Sequence, residues 1–216
     1  MKKFLFSLAI GLSFSTFAQK KFITTAALSM QKYNPMAGID AAKKNVAKAK
    51  EFIDQAAVNP ETMNDPKMYL YQGQVYFALT EIAMIEKMSG KDADDAKIEE
   101  YAATAENAFK KVKEDPKKEY VQDVADFFSP KLSFVLSQGD AATKKLQKES
   151  DDINADPKLT AQEKKQKIDD LKINEYANAA TFYTIGLGYK KMMSEQDTNL
   201  EYVTSQYLSA AVGEML

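Results

Sequence analysis

Carboxylates and lysines are the only charged side chains this chain offers for chemistry. Its 29 basic residues are all Lys, there are 31 Asp and Glu, and Cys, His and Trp are absent. Without Cys or His there is no thiol or imidazole nucleophile pair, no disulfide and no soft-metal ligand set. Without Arg there is no bidentate clamp on phosphate or carboxylate. What remains is clustered acid. Asp92, Asp94 and Asp95 suggest a calcium loop, but such a loop needs Gly sixth and Glu twelfth, where this chain has Lys97 and Ala103. Asp151, Asp152 and Asp156 fit no better. Both clusters fall at helix starts or turns, where the helix dipole favours acids. Gly90-Lys91 lacks the upstream glycine spacing and the following Ser or Thr of a phosphate loop. Two carboxylates can hydrolyse a glycan without His, yet no pair stands out, and Glu81 and Glu86 read as solvated helix-face residues. The expectation is no catalytic residue, no metal and no cofactor, with a carboxylate-dependent hydrolase as the remote alternative.

The elements that would carry any site begin with a targeting segment. Lys2 and Lys3 precede an apolar stretch from Phe4 to Phe17, and Thr16-Phe17-Ala18 has the small-x-small pattern of a cleavage site. This is the three-part plan of a signal peptide over residues 1–18. The apolar stretch is shorter than the ~20 residues a spanning helix needs. No Cys follows the site, which excludes lipid attachment there. Removing two Lys takes the net charge from −2 to −4, and mixed signs along the chain leave no basic field for nucleic acid. The expectation is an exported protein, in a periplasm or outside the cell, with one domain over 19–216 and no stable membrane insertion after cleavage.

That domain reads as all-α. From Ala42, small or apolar residues recur at Val46, Ala49, Ile53 and Ala56, one face of a helix, which Asn59-Pro60 stops. Asp65-Pro66 is an N-cap with proline at the first helical position, opening a helix to Met88 with Tyr69, Gly73, Tyr76 and Thr80 on one face. Ser89 to Asp92 is a turn. A third helix covers about Asp94 to Lys113, with Ile98, Tyr101, Ala105, Ala108 or Phe109, and Val112 inward, and Asp115-Pro116 ends it. Ser129-Pro130 repeats the cap-plus-proline signal, which predicts two shorter helices around it. Sustained period-two alternation is missing, so no sheet is expected. Residues 140–172 hold eight Lys and eight acids around sparse Leu146, Ile153, Leu159, Ile168 and Leu171. They predict a charged helical hairpin turning at Asp156-Pro157, held in part by Lys–acid pairs three or four apart. A docking arm is the alternative.

Two patterns repeat. Ala49, Ile53, Ala56 and Pro60 align with Ala105, Phe109, Val112 and Pro116, 56 residues on. Tyr69, Gly73 and Tyr76 align with Phe182, Gly186 and Tyr189, 113 residues on. A small residue lets a neighbouring helix approach, and the aromatics one turn to either side fill the surrounding space. These residues resemble the tetratricopeptide repeat, whose signature is W-x2-L-G-x2-Y, then A-x3-F, then P. Tyr69-x2-Gln72-Gly73-x2-Tyr76 and Phe182-x2-Ile185-Gly186-x2-Tyr189 match its first part, and Ala105-x3-Phe109 with Pro116 its second. The resemblance covers about 38–116 and 175–212. The 29 residues from Tyr76 to Ala105 exceed the family's spacing, which implies a longer first helix or an enlarged turn.

The resemblance implies helix-turn-helix pairs stacked as a short solenoid, with an irregular α-helical bundle as the alternative. It also implies a concave face, lined by the first helix of each pair, that binds a peptide or protein. The residues on it would be Lys67, Leu70, Gln74 and Phe77 in the first copy and Tyr183, Leu187 and Lys190 in the second; the competing reading makes Leu70, Phe77 and Tyr183 core. The implied function is that of an interaction scaffold or adaptor, with a self-associating structural envelope component as the alternative. The C-terminal Tyr207–Leu216 stays apolar to its end, which predicts either packing back onto the preceding pair or a homo-oligomer contact.

Overall fold

The structure is a computed structural model, and it describes residues 20–92, 94–193 and 197–213. The expected signal peptide, residues 1–18, lies outside them. The described residues form seven α-helices and no strand, so the chain is all-α: α1 over 20–30, α2 Ile39–Val58, α3 Pro66–Met88, α4 Asp95–Glu114, α5 Val121–Ala155, α6 Ala161–Met193 and α7 Thr198–Gly213, with a 3-10 turn Pro35–Ala37 before α2. They divide into two compact units, one ending at Val124 and one beginning at Ala125. None of the described helices is long and apolar enough to cross a membrane.

In the first unit the boundaries obey the local signals. Asp65 caps α3 by accepting from the Lys67 amide at 2.8 Å, with Pro66 next. Asp94 caps α4 by accepting from the Lys97 amide at 3.2 Å. Gly90, just past α3, has φ +77°, a conformation that glycine adopts without strain. The face of α2 read from the sequence is the buried one: Ala42, Val46, Ala49, Ile53 and Ala56 are all 1% exposed or less. Burying a Val or Ile side chain contributes about 1.5–3 kcal/mol. This face meets Ile23, Ala26 and Met30 of α1 and Met68, Val75, Ala78 and Ile82 of α3 in one core. Helix α3 is packed from two directions, because Gly73 lies on another of its faces and receives the Phe109 ring of α4. A helix enclosed this way needs apolar residues around most of its circumference. That is why its sequence shows no single stripe. Helix α3 continues for three turns past Tyr76, which accounts for the long spacing to Ala105.

The second unit is built on an antiparallel hairpin of α5 and α6. Lys164 Nζ donates to the Asn154 carbonyl, Lys145 pairs with Glu175, Tyr183 donates to Asp140, and Gly186 lies against Leu136 and Leu132. The turn falls at Asp156-Pro157, as the sequence predicts. Thr160-Ala161-Gln162-Glu163 then starts α6 with reciprocal bonds: the Thr160 amide and hydroxyl donate to Glu163 Oε2, and the Glu163 amide donates to Thr160 Oγ1. Leu146, Ile153, Leu159, Ile168 and Leu171 are half-buried along the hairpin seam. Ion pairs Lys165–Asp169 and Lys172–Asp169 run along its surface. Helix α7 folds back along α6, with Lys190 near Asp197, Gly186 near Leu200 and Tyr183 near Tyr207. Of the C-terminal segment, the residues up to Gly213 are described, and they belong to this packed helix.

One boundary is corrected. Pro130 lies inside a single 35-residue α5 and not at the start of a second helix. Proline removes one helical hydrogen bond, and the acceptor it would orphan is the Asp126 carbonyl. Asp126, Ser129 and Pro130 are all exposed, so water can serve that carbonyl. Phe128 and Val135 are meanwhile buried on the opposite side. Core packing carries the helix through a local stop signal.

Both units use the same joint. A β-carbon added to Gly73 would lie 2.6 Å from the Phe109 ring, and one added to Gly139 would lie 2.5 Å from the Tyr183 ring. Both rings are buried. Replacing Gly73 with Leu is expected to destabilise the chain by about 1–3 kcal/mol through overpacking. Gly188→Ala should act oppositely, gaining about 0.5–1 kcal/mol, because that exposed helical glycine has nothing within 4 Å of an added β-carbon. Urea titrations followed by circular dichroism would check both signs.

Candidate functional site

The Gly139–Tyr183 joint fixes what lies beside it on α5 and α6. Glu175, Ala179, Tyr183 and Gly186 fall on one buried face of α6. Asn178 and Phe182 come next around the helix, and they face Gln138, Ala141 and Lys145 across from α5. Together with Ala142 and Glu175 these residues line an open groove of about 360 Å³. Ala142 and Glu175 are its buried lining residues, Phe182 and Gln138 are half-buried, and Ala141, Lys145 and Asn178 are exposed.

The ion pair is unequal. Glu175 is only 4% exposed, whereas the Lys145 side chain is 53% exposed. A carboxylate can be removed from water only with partners. Lys145 Nζ supplies one at 2.6 Å from Oε1, and the Asn178 amide donates to Oε2 at 3.4 Å. The hydrogen bond with Glu175, and then its charge, hold the Lys145 ammonium protonated beyond its ordinary range. Lys145 therefore acts as a fixed charge and not as an amine nucleophile near neutrality. On the other side of Tyr183 its hydroxyl donates to Asp140 Oδ1 at 2.7 Å. Burial first, then the Asp140 carboxylate, push that phenol well up, so it too stays neutral. The groove presents polar groups that can orient a ligand. Among the described residues no group of three or more acids is placed to hold a metal ion.

The residues expected to line a concave face fall into two sets. On α3, Lys67, Gln74 and Phe77 are half-buried along one strip, while Leu70 is 2% exposed and packed as core. On α6 the three expected residues are engaged within the unit. Tyr183 is 6% exposed, with its ring against Gly139 and Tyr207. Leu187 packs on the cluster of Ala142, Ala179, Tyr183 and Leu200, and Lys190 pairs with Asp197 at 3.8 Å. The physical reason is α7, which lies along that face of α6. The groove residues Gln138, Ala141, Ala142, Lys145, Glu175, Asn178 and Phe182 are not legible as a site in the sequence. Two signals point toward them. Ala179-x3-Tyr183 repeats Ala105-x3-Phe109, and Gln138-Gly139 repeats Gln72-Gly73. A lone Glu on the face otherwise made of Ala179, Tyr183 and Gly186 is the other.

No protein-family model, curated protein or solved structure matches the chain.

The raised Tyr183 phenol sets a sign for pH dependence. Its neutral form stabilises the fold fully below the ordinary phenol value of 10.0, and that contribution is lost as pH rises through the raised value. Tyr183→Phe should therefore show a shallower loss of stability above pH 10 than the parent chain. At neutral pH it should lose only about 0.5–1.5 kcal/mol for the missing hydrogen bond. Denaturant midpoints across a pH series would test this; identical slopes above pH 10 would contradict it.

Proposed function

We propose that this chain is an exported interaction scaffold that binds a peptide or protein, built as a divergent tetratricopeptide-like array. The helix order supports the reading. Helices α1 and α2, α3 and α4, and α5 and α6 succeed one another as antiparallel-capable pairs, and α7 comes last, where such arrays place a capping helix. The glycine-to-aromatic joint recurs in the second and third pairs. Export rests on the N-terminal segment read from the sequence.

The observation that carries the binding role is the open α5–α6 groove, lined by an aromatic ring, two alanines, two side-chain amides and a buried carboxylate paired with Lys145. Small sets of oriented polar groups around an apolar floor are what recognition sites require. The α3 strip of Lys67, Gln74 and Phe77 is the second surface of this reading. Self-association as an envelope component is the competing function. It is favoured by Tyr202, Leu208 and Val212 of α7, which are 64%, 49% and 53% exposed.

Affinity capture with the mature chain from its own envelope fraction separates these. One partner should be recovered repeatedly. Its retention should fall by roughly tenfold or more in Phe182→Ala, in line with loss of an aromatic anchor. Phe77→Ala tests the α3 strip in the same way. Retention unchanged in both variants would remove both surfaces. Recovery of the chain itself as sole partner, with sedimentation as a dimer that Leu208→Ser dissociates, would replace the scaffold reading with self-association.

A further inference from the structure

We infer that the α5–α6 groove takes a cationic side chain, a lysine or arginine of the bound segment, and that Glu175 Oε2 is the atom that receives it. The inference rests on the binding role proposed for this groove and names the chemistry it selects.

Glu175 is nine-tenths buried and lines the groove. Its Oε1 is satisfied by Lys145 at 2.6 Å. Its Oε2 has the Asn178 amide at 3.4 Å, the outer edge of hydrogen-bond length. A carboxylate accepts up to about four hydrogen bonds, so Oε2 retains acceptor capacity toward the groove. The surroundings select the donor. Phe182 lines the same groove with an aromatic ring, whose face attracts a cation and not an anion. Gln138 and Asn178 each add an amide oxygen that can accept from N–H, and the alanines leave room for an aliphatic stem. An incoming carboxylate would meet Glu175 with like charge. An incoming ammonium or guanidinium finds a charge-assisted acceptor, a ring and neutral acceptors within one cavity.

Lys145 is the competitor already present. Its side chain is half in solvent and reaches the carboxylate from the rim. It neutralises Glu175 when the groove is empty, and it must share the carboxylate when a second cation enters. Removing Lys145 should therefore improve binding of the cation, an effect that a purely structural ion pair would not have.

The test uses the mature chain and acetylated, amidated tripeptides with a central Lys, Arg, norleucine or Glu, titrated by heteronuclear NMR with shifts monitored at Asn178 and Phe182. The Lys and Arg peptides should bind, and the norleucine and Glu peptides should bind roughly tenfold more weakly or worse. Glu175→Gln should abolish that preference, with its circular dichroism unchanged. Lys145→Gln should bind the Lys peptide more tightly than the parent does. Equal binding of Lys and norleucine peptides overturns the inference, as does preference surviving in Glu175→Gln or weaker binding in Lys145→Gln. Should Glu175→Gln fail to fold, the Lys145→Gln result and the peptide series still decide. Absence of binding by every peptide overturns the cation selection; the scaffold reading then stands or falls separately, on whether capture depends on Phe182.

Discussion

An aromatic ring seated where a helix has no side chain is the contact on which both units depend. Glycine inside a helix costs about 1 kcal/mol relative to alanine, and this chain accepts that cost at Gly73 and Gly139. The return is burial of a whole ring against backbone, at a separation that any β-carbon would prevent. The contact also fixes phase. Once Phe109 points into Gly73, its turn-neighbours Ala105, Ala108 and Val112 are turned inward, and all four are buried. Once Tyr183 points into Gly139, Ala179 and Glu175 lie on the same face. The groove is thus a consequence of the joint: Phe182 precedes Tyr183 by one position, and Gln138 precedes Gly139 by one.

One ion pair, Lys145–Glu175, ties α5 to α6 across the hairpin. On α5 the lysines at 144, 145 and 148 precede the acids at 149, 151 and 152; on α6 the lysines at 164, 165 and 167 precede the acids at 169, 170 and 175. In the observed register Lys145 meets Glu175 and Lys164 reaches the Asn154 carbonyl, which puts Asp151 and Asp169 at the same level, so charge order by itself does not set the pairing. Surface pairs of this kind contribute little individually, about 0–1 kcal/mol. The seam of Leu146, Ile153, Ile168 and Leu171 is itself only half-buried.

Legibility in the sequence tracks how local the governing interaction is. The buried face of α2, the Asp65-Pro66 start of α3 and the turn at Asp156-Pro157 are set within a few residues, and the sequence shows them. Pro130 misleads because its effect depends on a distant fact: Asp126, Ser129 and Pro130 lie on an exposed side while Phe128 on the other side is buried. Gly186 has the sequence pattern of a notch for a neighbouring helix. It is a notch, and its β-carbon position lies 3.2 Å from Leu136 of the preceding helix as well as 3.6 Å from Leu200 of the next one. Leu70, Tyr183, Leu187 and Lys190 look available because periodicity identifies which residues share a face and is silent on what covers it.

The groove leaves no clear mark in the sequence for the same reason, since its existence depends on where α7 runs. The contacts of α7 reach α6 at Tyr176, Tyr183 and Gly186, along one side of that helix. Asn178 and Phe182 come further round the helix, on the side turned away from Tyr176, where they remain exposed and half-buried respectively. Glu175 sits between the two sides, at the level where the half-buried hairpin seam gives way to the fully buried Ala179. It is therefore deep enough to be desolvated yet close enough to the open side to be reached from solvent by Lys145. A carboxylate one turn further into the core would need a buried cation of its own, and one turn further out it would be hydrated like Asp169 or Asp170. At this junction one exposed lysine holds the first oxygen at 2.6 Å, and the second is met by the Asn178 amide at 3.4 Å.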